Sequence, residues 1–424
     1  MKHILTSLVI LSLFLSARAQ TVDTTVRNND RYVIRKIKNS IIVASDFYFA
    51  SNAITNELAK TYFLNGFITD EMKDGVSKHL NDKNRLGGDF TTELYFTNKP
   101  DSMFGCTNML WFVGVKNINH INSEFTRDLF EVYFRGNKNY IGKDATLGEF
   151  NLLSLKYQQL QFGLGKTLKK DSAVFDFRAA LGFNMGQQLV RIHSPKADVY
   201  TADIGEYLDV NAKVEIHNSD SLHKKLGSFN GFGFSTDLYF AADLKKKHYF
   251  SLSISNLGFI KWNNQSTELN ADSSFRFNGI DVTQVLNFAD TIKSTINVDS
   301  TLRQPFLSKR KYNSTTLFLP AKIEVLYMRT IRDNKIRAGI GASYMLNADY
   351  FPEVYLKGDY SWKNNRITLR LSYGGYTTFG TAIYYKHYFG ARYNISFGSN
   401  YINALFNPDK GVSESARVTI TGNF

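Results

Sequence analysis

Apolar and polar positions alternate through residues 229–262, and this pattern predicts a long β-hairpin. The alternation runs through the first half and resumes after a polar turn at Lys245–His248. A strict period of two indicates a strand with one apolar and one polar face. Both arms exceed the usual strand of about five or six residues in globular proteins. The apolar positions are Phe232, Phe234, Leu238, Phe240, Ala242, Leu244, Phe250, Leu252 and Ile254.

The same alternation recurs along most of the chain and predicts fourteen strands. One two-faced hairpin fits a soluble sandwich as well as a membrane barrel, so the choice between these two folds depends on the whole set of strands. An even number of such strands is typical of a bacterial membrane barrel. The predicted fold class is therefore all-β: a transmembrane, antiparallel, up-and-down β-barrel of about 14 strands, with a few short helices in loops or a plug. The strands cover residues 40–50, 87–97, 108–116, 150–167, 175–184, the two arms of 229–262, 321–327, 336–344, 352–362, 366–374, 378–386, 390–399 and 415–424.

Short and long connections alternate along these strands, and this predicts how the barrel sits in the membrane. Tight turns at Lys245, at Arg332–Asn334 and at Asn364–Asn365 follow even-numbered strands. Both chain ends and the short turns are then periplasmic, and 193–228 and 263–316 are long external loops. The long insertions, all after odd-numbered strands, are 51–86, 117–149, 193–228, 263–316 and 400–414.

Three insertions carry helical patterns. Residues Asn56–Leu80 are expected to be helical or irregular, and Glu124–Arg135 has the apolar spacing of an amphipathic helix. A short helix is expected between Val285 and Ile296. No stretch approaches the roughly 20 apolar residues of a membrane helix, so strands would have to span the bilayer.

The two chain ends carry export and assembly signals. Residues 1–19 combine Lys2, an apolar core from Ile4 to Leu15 and Ala17-Arg18-Ala19, which predicts a cleavable signal peptide. Residues 20–424 then form a single barrel domain. The last strand ends on Phe424 and resembles the C-terminal assembly signal of Gram-negative outer-membrane barrels. This resemblance implies residence in the cell outer membrane, contact with its lipid, and recognition by the barrel-assembly machinery through that strand.

Composition adds limits to this picture. The formal net charge is +13, or +11 without Lys2 and Arg18. Lys and Arg are spread through strands and turns, so no nucleic-acid partner is predicted, and anionic lipid or polysaccharide head groups fit the basic balance better. The single cysteine, Cys106, allows no intrachain disulfide.

The sequence contains no catalytic or metal-binding constellation. The histidines lack metal-ligand spacing, so neither an enzyme nor a cofactor is predicted. Charged residues instead share the polar phase of the strands and would face the lumen, as a rigid ion-pair lattice or as the wall of a permeation path. The candidate ligand-binding residues are Arg178, Asp237, Glu324, Arg337 and Arg370. The same phase holds Asp176, Asp243, Lys322, Glu353, Lys357, Asp359, Arg392 and Arg417.

Several landmarks resemble an uncharacterised outer-membrane family whose barrels are similar to the long-chain fatty-acid transporter fold and to PorV-like secretion accessory proteins. The most specific landmark is NLGFIKW, residues 256–262. The resemblance implies a fold and a compartment, and it assigns no functional residue. The other landmarks are Asn84-Arg85, Gly186-Gln187, Gly205–Asp209, Asn230–Gly233 with Asp237-Leu238, and Phe277–Ile280.

Two functions remain open from the sequence. In the first, the barrel is a porin-like transporter for a hydrophobic or amphipathic small molecule, with residues 51–86 folded inward as a plug. In the second, it is a closed accessory protein that binds an exported protein or the secretion machinery through residues 193–228 and 263–316. The similarity to the fatty-acid transporter fold favours transport, although one fold supports many functions.

Overall fold

A computed structural model describes residues 38–220, 227, 229–277, 310–332, 335–402 and 411–424. The predicted signal peptide and the helix expected between Val285 and Ile296 lie outside these residues. The helices are α1 Asn56–Phe63, α2 Asp70–Ser77 and α3 Arg127–Arg135, with a 3₁₀ turn at Asn137–Tyr140. The strands are β1 Asn39–Ser51, β2 Lys83–Asn98, β3 Met109–Thr126, β4 Lys143–Thr146, β5 Phe150–Lys170, β6 Ala173–Thr201, β7 Leu208–Asn218, β8 Gly231–Leu244, β9 His248–Trp262, β10 Thr267–Phe277, β11 Arg310–Tyr312, β12 Thr316–Phe318, β13 Ala321–Arg332, β14 Ile336–Leu346, β15 Phe351–Trp362, β16 Asn365–Gly375, β17 Phe379–Phe389, β18 Tyr393–Ser399 and β19 Ser413–Asn423.

Fourteen of these strands form a closed antiparallel barrel, which confirms the predicted fold class. The ring closes between the first and last strands, from the pair Ser40–Asn423 to the pair Ala50–Ser413. Each of the fourteen predicted strands corresponds to one strand of this ring, in chain order. The order around the ring is β1, β2, β3, β5, β6, β8, β9, β13, β14, β15, β16, β17, β18 and β19.

The outer surface of the ring is apolar, and the inner surface carries the polar phase of each strand. Such an outward apolar band is the lipid-facing surface of a membrane barrel. An aromatic group from β15, β17 and β18 lies on the outside, with neighbouring ring centroids 5.2 to 6.3 Å apart: Tyr360, Trp362, Tyr385 and Phe397. Exposed members of the band include Val113, Val115, Leu160, Phe162, Leu164, Leu181, Phe234, Leu238, Val325, Ile340, Leu356, Leu369 and Leu371.

The two ends of the barrel differ in their connections. At one end, called the turn end here, residues 171–172, 245–247, 363–364 and 390–392 join neighbouring strands. The barrel termini also meet there, because Asn39 and Phe424 exchange two backbone hydrogen bonds of 3.0 Å. The opposite end, the loop end, carries the helices and the long connections.

The prediction that residues 193–228 are loop-like was wrong over most of their length. β6 has 29 residues, far beyond the roughly 9–11 that cross a bilayer, and it continues to Thr201 before turning back into β7. β7 pairs along its whole length with β10, so residues 267–277 of the second predicted loop are also a strand. β4, the end of β6, β7, β10 and β11 form an extension sheet beyond the barrel wall.

The helical patterns locate two of the three expected helices. Within 124–135, residues up to Thr126 still belong to β3, and the Thr126 hydroxyl caps α3 by accepting from the Leu129 N–H at 3.2 Å. In the described chain, no helix has the length and apolarity needed to cross a membrane.

Residues 52–86, which the structure describes throughout, contribute no side chain to the lining of the interior cavity. The predicted plug segment, residues 51–86, therefore does not line this cavity, and its role as a plug stays a prediction. α1 and α2 instead pack on α3 at the loop end because each buries its apolar face there, and the Ser77 hydroxyl donates to Glu131 at 2.6 Å. The shared core contains Phe49, Ala53, Ile54, Leu58, Ala59, Val76, Leu80, Phe125 and Phe130.

Candidate functional site

The barrel encloses a cavity of about 470 Å³ whose wall is built from the inner faces of most strands. All five predicted candidates line it: Arg178, Asp237, Glu324, Arg337 and Arg370. Their inward position follows from strand alternation, since each shares the phase opposite the apolar band. The structure therefore brings the charged set together in one compartment.

Ion pairs connect much of this charged wall. Arg370 binds Glu353 at 2.6 Å, and Arg337 binds Asp359 at 2.9 Å on the neighbouring strand. Arg178 pairs with Asp176 two residues earlier. These side chains are largely shielded from solvent, so each charge needs its partner to offset the cost of leaving bulk water.

Asp237 lies at a bulge between β8 and β9. The pairing shifts by one residue between Thr236 and Leu238, and Asn256 adopts a positive φ of 60°. Its N–H then donates to Asp237 Oδ1 at 2.7 Å, while Lys116 Nζ contacts Oδ2 at 3.1 Å. Gln161 of β5 also faces inward, and its Nε2 donates to Asp237 Oδ2 at 2.5 Å. The bulge therefore fixes a carboxylate that three donors from three strands satisfy.

Tyrosines form the second part of the lining, and the sequence-based candidates did not include them. Tyr355 donates to Glu324 at 2.6 Å, and the Arg370 guanidinium carbon lies 3.7 Å from the Tyr355 ring centroid. Tyr355 alternates in phase with Glu353 and Lys357, so the signal was present in the pattern. The lining tyrosines are Tyr48, Tyr95, Tyr157, Tyr239, Tyr249, Tyr350, Tyr355, Tyr384 and Tyr401.

Three lysines of the lining, Lys322, Lys357 and Lys386, form no ion pair within 4 Å among the residues that the structure describes. They belong to β13, β15 and β17, on the same side of the barrel as the Arg370–Glu353 pair. Positive charge without a contacting carboxylate attracts an anionic group that enters the cavity.

The landmark residues 256–262 have a structural role. Asn256 forms the bulge, and Gly258 approaches β8 so closely that a Cβ would lie 2.1 Å from the Phe234 carbonyl oxygen. Ile260 and Trp262 are fully buried in an apolar cluster inside the barrel. Its other members are Ile118, Leu153, Leu155, Tyr157, Leu189, Leu317 and Leu319.

Phe424, the predicted assembly signal, lies exposed at the turn end. Its recognition by assembly machinery stays a prediction. In the described part of the chain, no three His, Cys, Asp or Glu side chains are grouped so that they could hold a metal ion.

The chain belongs to a family that has no assigned function. Residues 37–391 match the description "Family of unknown function (DUF5723)". No curated protein sequence matches significantly. The predicted resemblance to PorV-like accessory proteins stays a prediction.

Solved structures with similar backbones are membrane barrels. A deletion mutant of the TodX monoaromatic hydrocarbon channel has a TM-score of 0.46 and 7% identity, with 94% of each chain covered. The Ralstonia pickettii toluene transporter TbuX has a TM-score of 0.43 and 7% identity, with 92% of this chain and 90% of that chain covered. A Pseudomonas aeruginosa FadL homologue has a TM-score of 0.39 and 8% identity, with 91% and 90% covered.

Proposed function

We propose that the protein is an outer-membrane transporter that admits a small amphipathic molecule to its interior cavity. The observation that carries this proposal is the lining itself, where charged groups and tyrosines alternate around about 470 Å³ of space. Tyrosine rings offer apolar surface to the body of such a molecule, and their hydroxyls remain available for polar contacts.

An acidic head group suits the cavity best. Lys322, Lys357 and Lys386 supply positive charge without a contacting carboxylate among the described residues. The acids of the lining are largely engaged, as Glu353 and Asp359 are by arginines. A carboxylate ligand would therefore gain ionic contacts without displacing an existing pair.

Uptake into liposomes tests the proposal. Vesicles containing the protein should accumulate a labelled fatty acid faster than protein-free vesicles. Lys357→Gln should lower this uptake about fivefold, the change expected when about 1 kcal/mol of ionic attraction is lost. The matched control is Lys335→Gln, an exposed residue just before β14, which should leave uptake unchanged. Equal uptake with and without the protein would rule out transport of this class.

Residence in the outer membrane has its own test. The fractionated protein should sediment with outer-membrane lipid and migrate faster on a gel when unboiled, because a closed barrel resists detergent. Recovery in the soluble periplasm with the same mobility after boiling would contradict the proposal.

The accessory function is the second candidate, and the extension sheet favours it. β6, β7 and β10 project beyond the wall and expose a polar face with Asp198, Asn211 and Ser274. Such a face fits contact with an exported protein or with secretion machinery. Absence of flux together with a stable partner, lost when β7 and β10 are shortened, would favour this function over transport.

A further inference from the structure

Two short connections at the loop end fold across the barrel mouth. They are residues 347–350, between β14 and β15, and residues 376–378, between β16 and β17. Tyr376 is 1% exposed and packs against Gly87 of β2, where a Cβ would lie 2.2 Å from its ring. Arg85 of the same strand donates to the Gly375 carbonyl at 2.7 Å. Only a glycine at position 87 leaves room for this inward ring.

Asp349 extends these contacts to the far wall. Its carboxylate accepts from Asn122 Nδ2 at 2.8 Å and from Asn151 Nδ2 at 3.3 Å. Asn122 belongs to β3 and Asn151 to β5, which lie six and five places from β14 in the ring of fourteen. Contacts between nearly opposite strands cross the lumen, so Asp349 ties the 347–350 connection over the mouth.

A buried histidine controls the orientation of the Asn122 amide. His120 Nε2 lies 2.9 Å from Asn122 Oδ1, and His120 Nδ1 lies 2.7 Å from Asp89 Oδ1. The Asp349 carboxylate accepts only, so Asn122 must present its NH₂ there and its oxygen to His120. Both ring nitrogens then face acceptors, and only the protonated imidazolium donates from both.

We propose that His120, Asn122 and Asp349 form a proton-sensitive latch that holds the loop end of the lumen shut. When His120 loses its proton, it keeps one N–H for Asp89, and Nε2 becomes an acceptor. The Asn122 amide then turns its NH₂ toward Nε2 and its oxygen toward Asp349, whose carboxylate is repelled. The 347–350 connection is released as the pH rises.

The charged surroundings favour the protonated, closed state at lower pH. Burial disfavours the charge on His120, and Asp89 on β2 and Asp349 on the connection offset this by attracting the imidazolium. The neighbouring Tyr376 and Tyr157 are uncharged near neutral pH. His193 contacts Asn151, the second amide that donates to Asp349, with His193 Nδ1 2.6 Å from Asn151 Oδ1. Arg191 on β6 also attracts the Asp349 carboxylate. His193 does not take over the role of His120, because its ring contacts Asn151 and not Asn122.

A cysteine reporter tests the latch without relying on transport. The reporter is Ala348→Cys in a Cys106→Ser background, labelled with a membrane-impermeant maleimide. Its labelling rate is divided by the labelling rate of Asn264→Cys, which lies at an exposed loop position. The division corrects for the pH dependence that the two thiols share, and the His120→Gln variant controls for any difference between them. The ratio should rise at least about tenfold between pH 6 and pH 9, as expected for loss of a charged hydrogen bond.

Two variants separate the latch from general opening. Asp349→Ala should give the high ratio at both pH values, and His120→Gln should remove the pH dependence while retaining heat-modifiable gel mobility. A ratio independent of pH in the parent, or an Asp349→Ala ratio equal to the parent at pH 6, would overturn the latch.

The effect on flux rests on the proposed transport function and is measured separately. Fatty-acid uptake should be faster at pH 9 than at pH 6 in the parent and fast at both in Asp349→Ala. If labelling follows the prediction while uptake does not change, the latch stands and transport through this end is wrong.

Discussion

The inner surface of the barrel differs between its two sides. On the side formed by β3, β5, β6 and β9, inward residues toward the loop end, such as Ile260 and Trp262, pack into a fully buried apolar cluster, while Arg178 of β6 lines the cavity. On the side formed by β13 to β17, charged residues and tyrosines predominate in the cavity lining, with apolar side chains such as Met328 beside them. The outer surface shows no such difference. A barrel wall therefore sets which residues face inward, and the chemistry of those residues sets whether the interior packs or stays open.

The difference has a physical cause. Large apolar side chains exclude water and fill the space between opposing strands, which lowers the free energy of the folded state. Arg370, Glu353 and Tyr355 keep a polar wall that water or a polar ligand can contact. The packed side supplies stability, and the charged side supplies a site.

The largest effect is expected on the packed side. Trp262→Ala removes a fully buried ring and should lower the free energy of unfolding by about 3–5 kcal/mol. The matched control is Trp362→Ala in the outer aromatic group, where lipid replaces the lost contacts and the decrease should be much smaller. Urea unfolding followed by gel mobility measures both. Equal losses would mean that the interior cluster is not a packed core.

A smaller effect is expected from the charged side. Arg370→Met removes the ionic partner of Glu353, which keeps the hydrogen bonds from Ser343 and Tyr350, and should cost about 3 kcal/mol, the lower end of the range for a buried pair. The double variant Arg370→Met with Glu353→Gln should recover most of that loss, since no isolated charge remains. The same unfolding assay measures the coupling between the two sites. Additive losses would show that the pair does not act as a unit.

The sequence predicts the wall better than its extensions. Strands such as 336–344 and 366–374 alternate strictly because one face meets lipid and the other the lumen, so their positions and faces follow from period two. Residues 193–201 and 208–218 carry polar residues at many positions and no lipid-facing band. The sequence pattern therefore indicated a loop, whereas pairing between β6, β7 and β10 makes them strands.

The candidate site was predictable in part. Arg178, Asp237, Glu324, Arg337 and Arg370 follow from strand phase alone. The latch does not, because Asp349 lies in a four-residue connection and meets Asn122 only through closure of the ring. Partners that lie far apart in sequence and on opposite walls leave no local pattern.

The smallest effect is expected where the same ion-pair chemistry is exposed. On the extension sheet, Arg276 binds Asp209 at 2.7 Å, with 52% and 42% of their side chains exposed. The hydrogen bond from Arg276 lowers the pKa of the Asp209 carboxyl, so the stabilisation is present above its unfolded pKa and is lost as the pH falls through the lowered value. Water screens this pair, and Arg276→Met should therefore change the unfolding midpoint far less than Arg370→Met does. In 1 M salt, where the Debye length is about 3 Å, the loss of stability caused by Arg370→Met should persist because that pair is shielded. The loss caused by Arg276→Met should vanish because that pair is exposed. If Arg276→Met destabilised the protein as much as Arg370→Met, burial within the barrel would not be what strengthens the interior pairs.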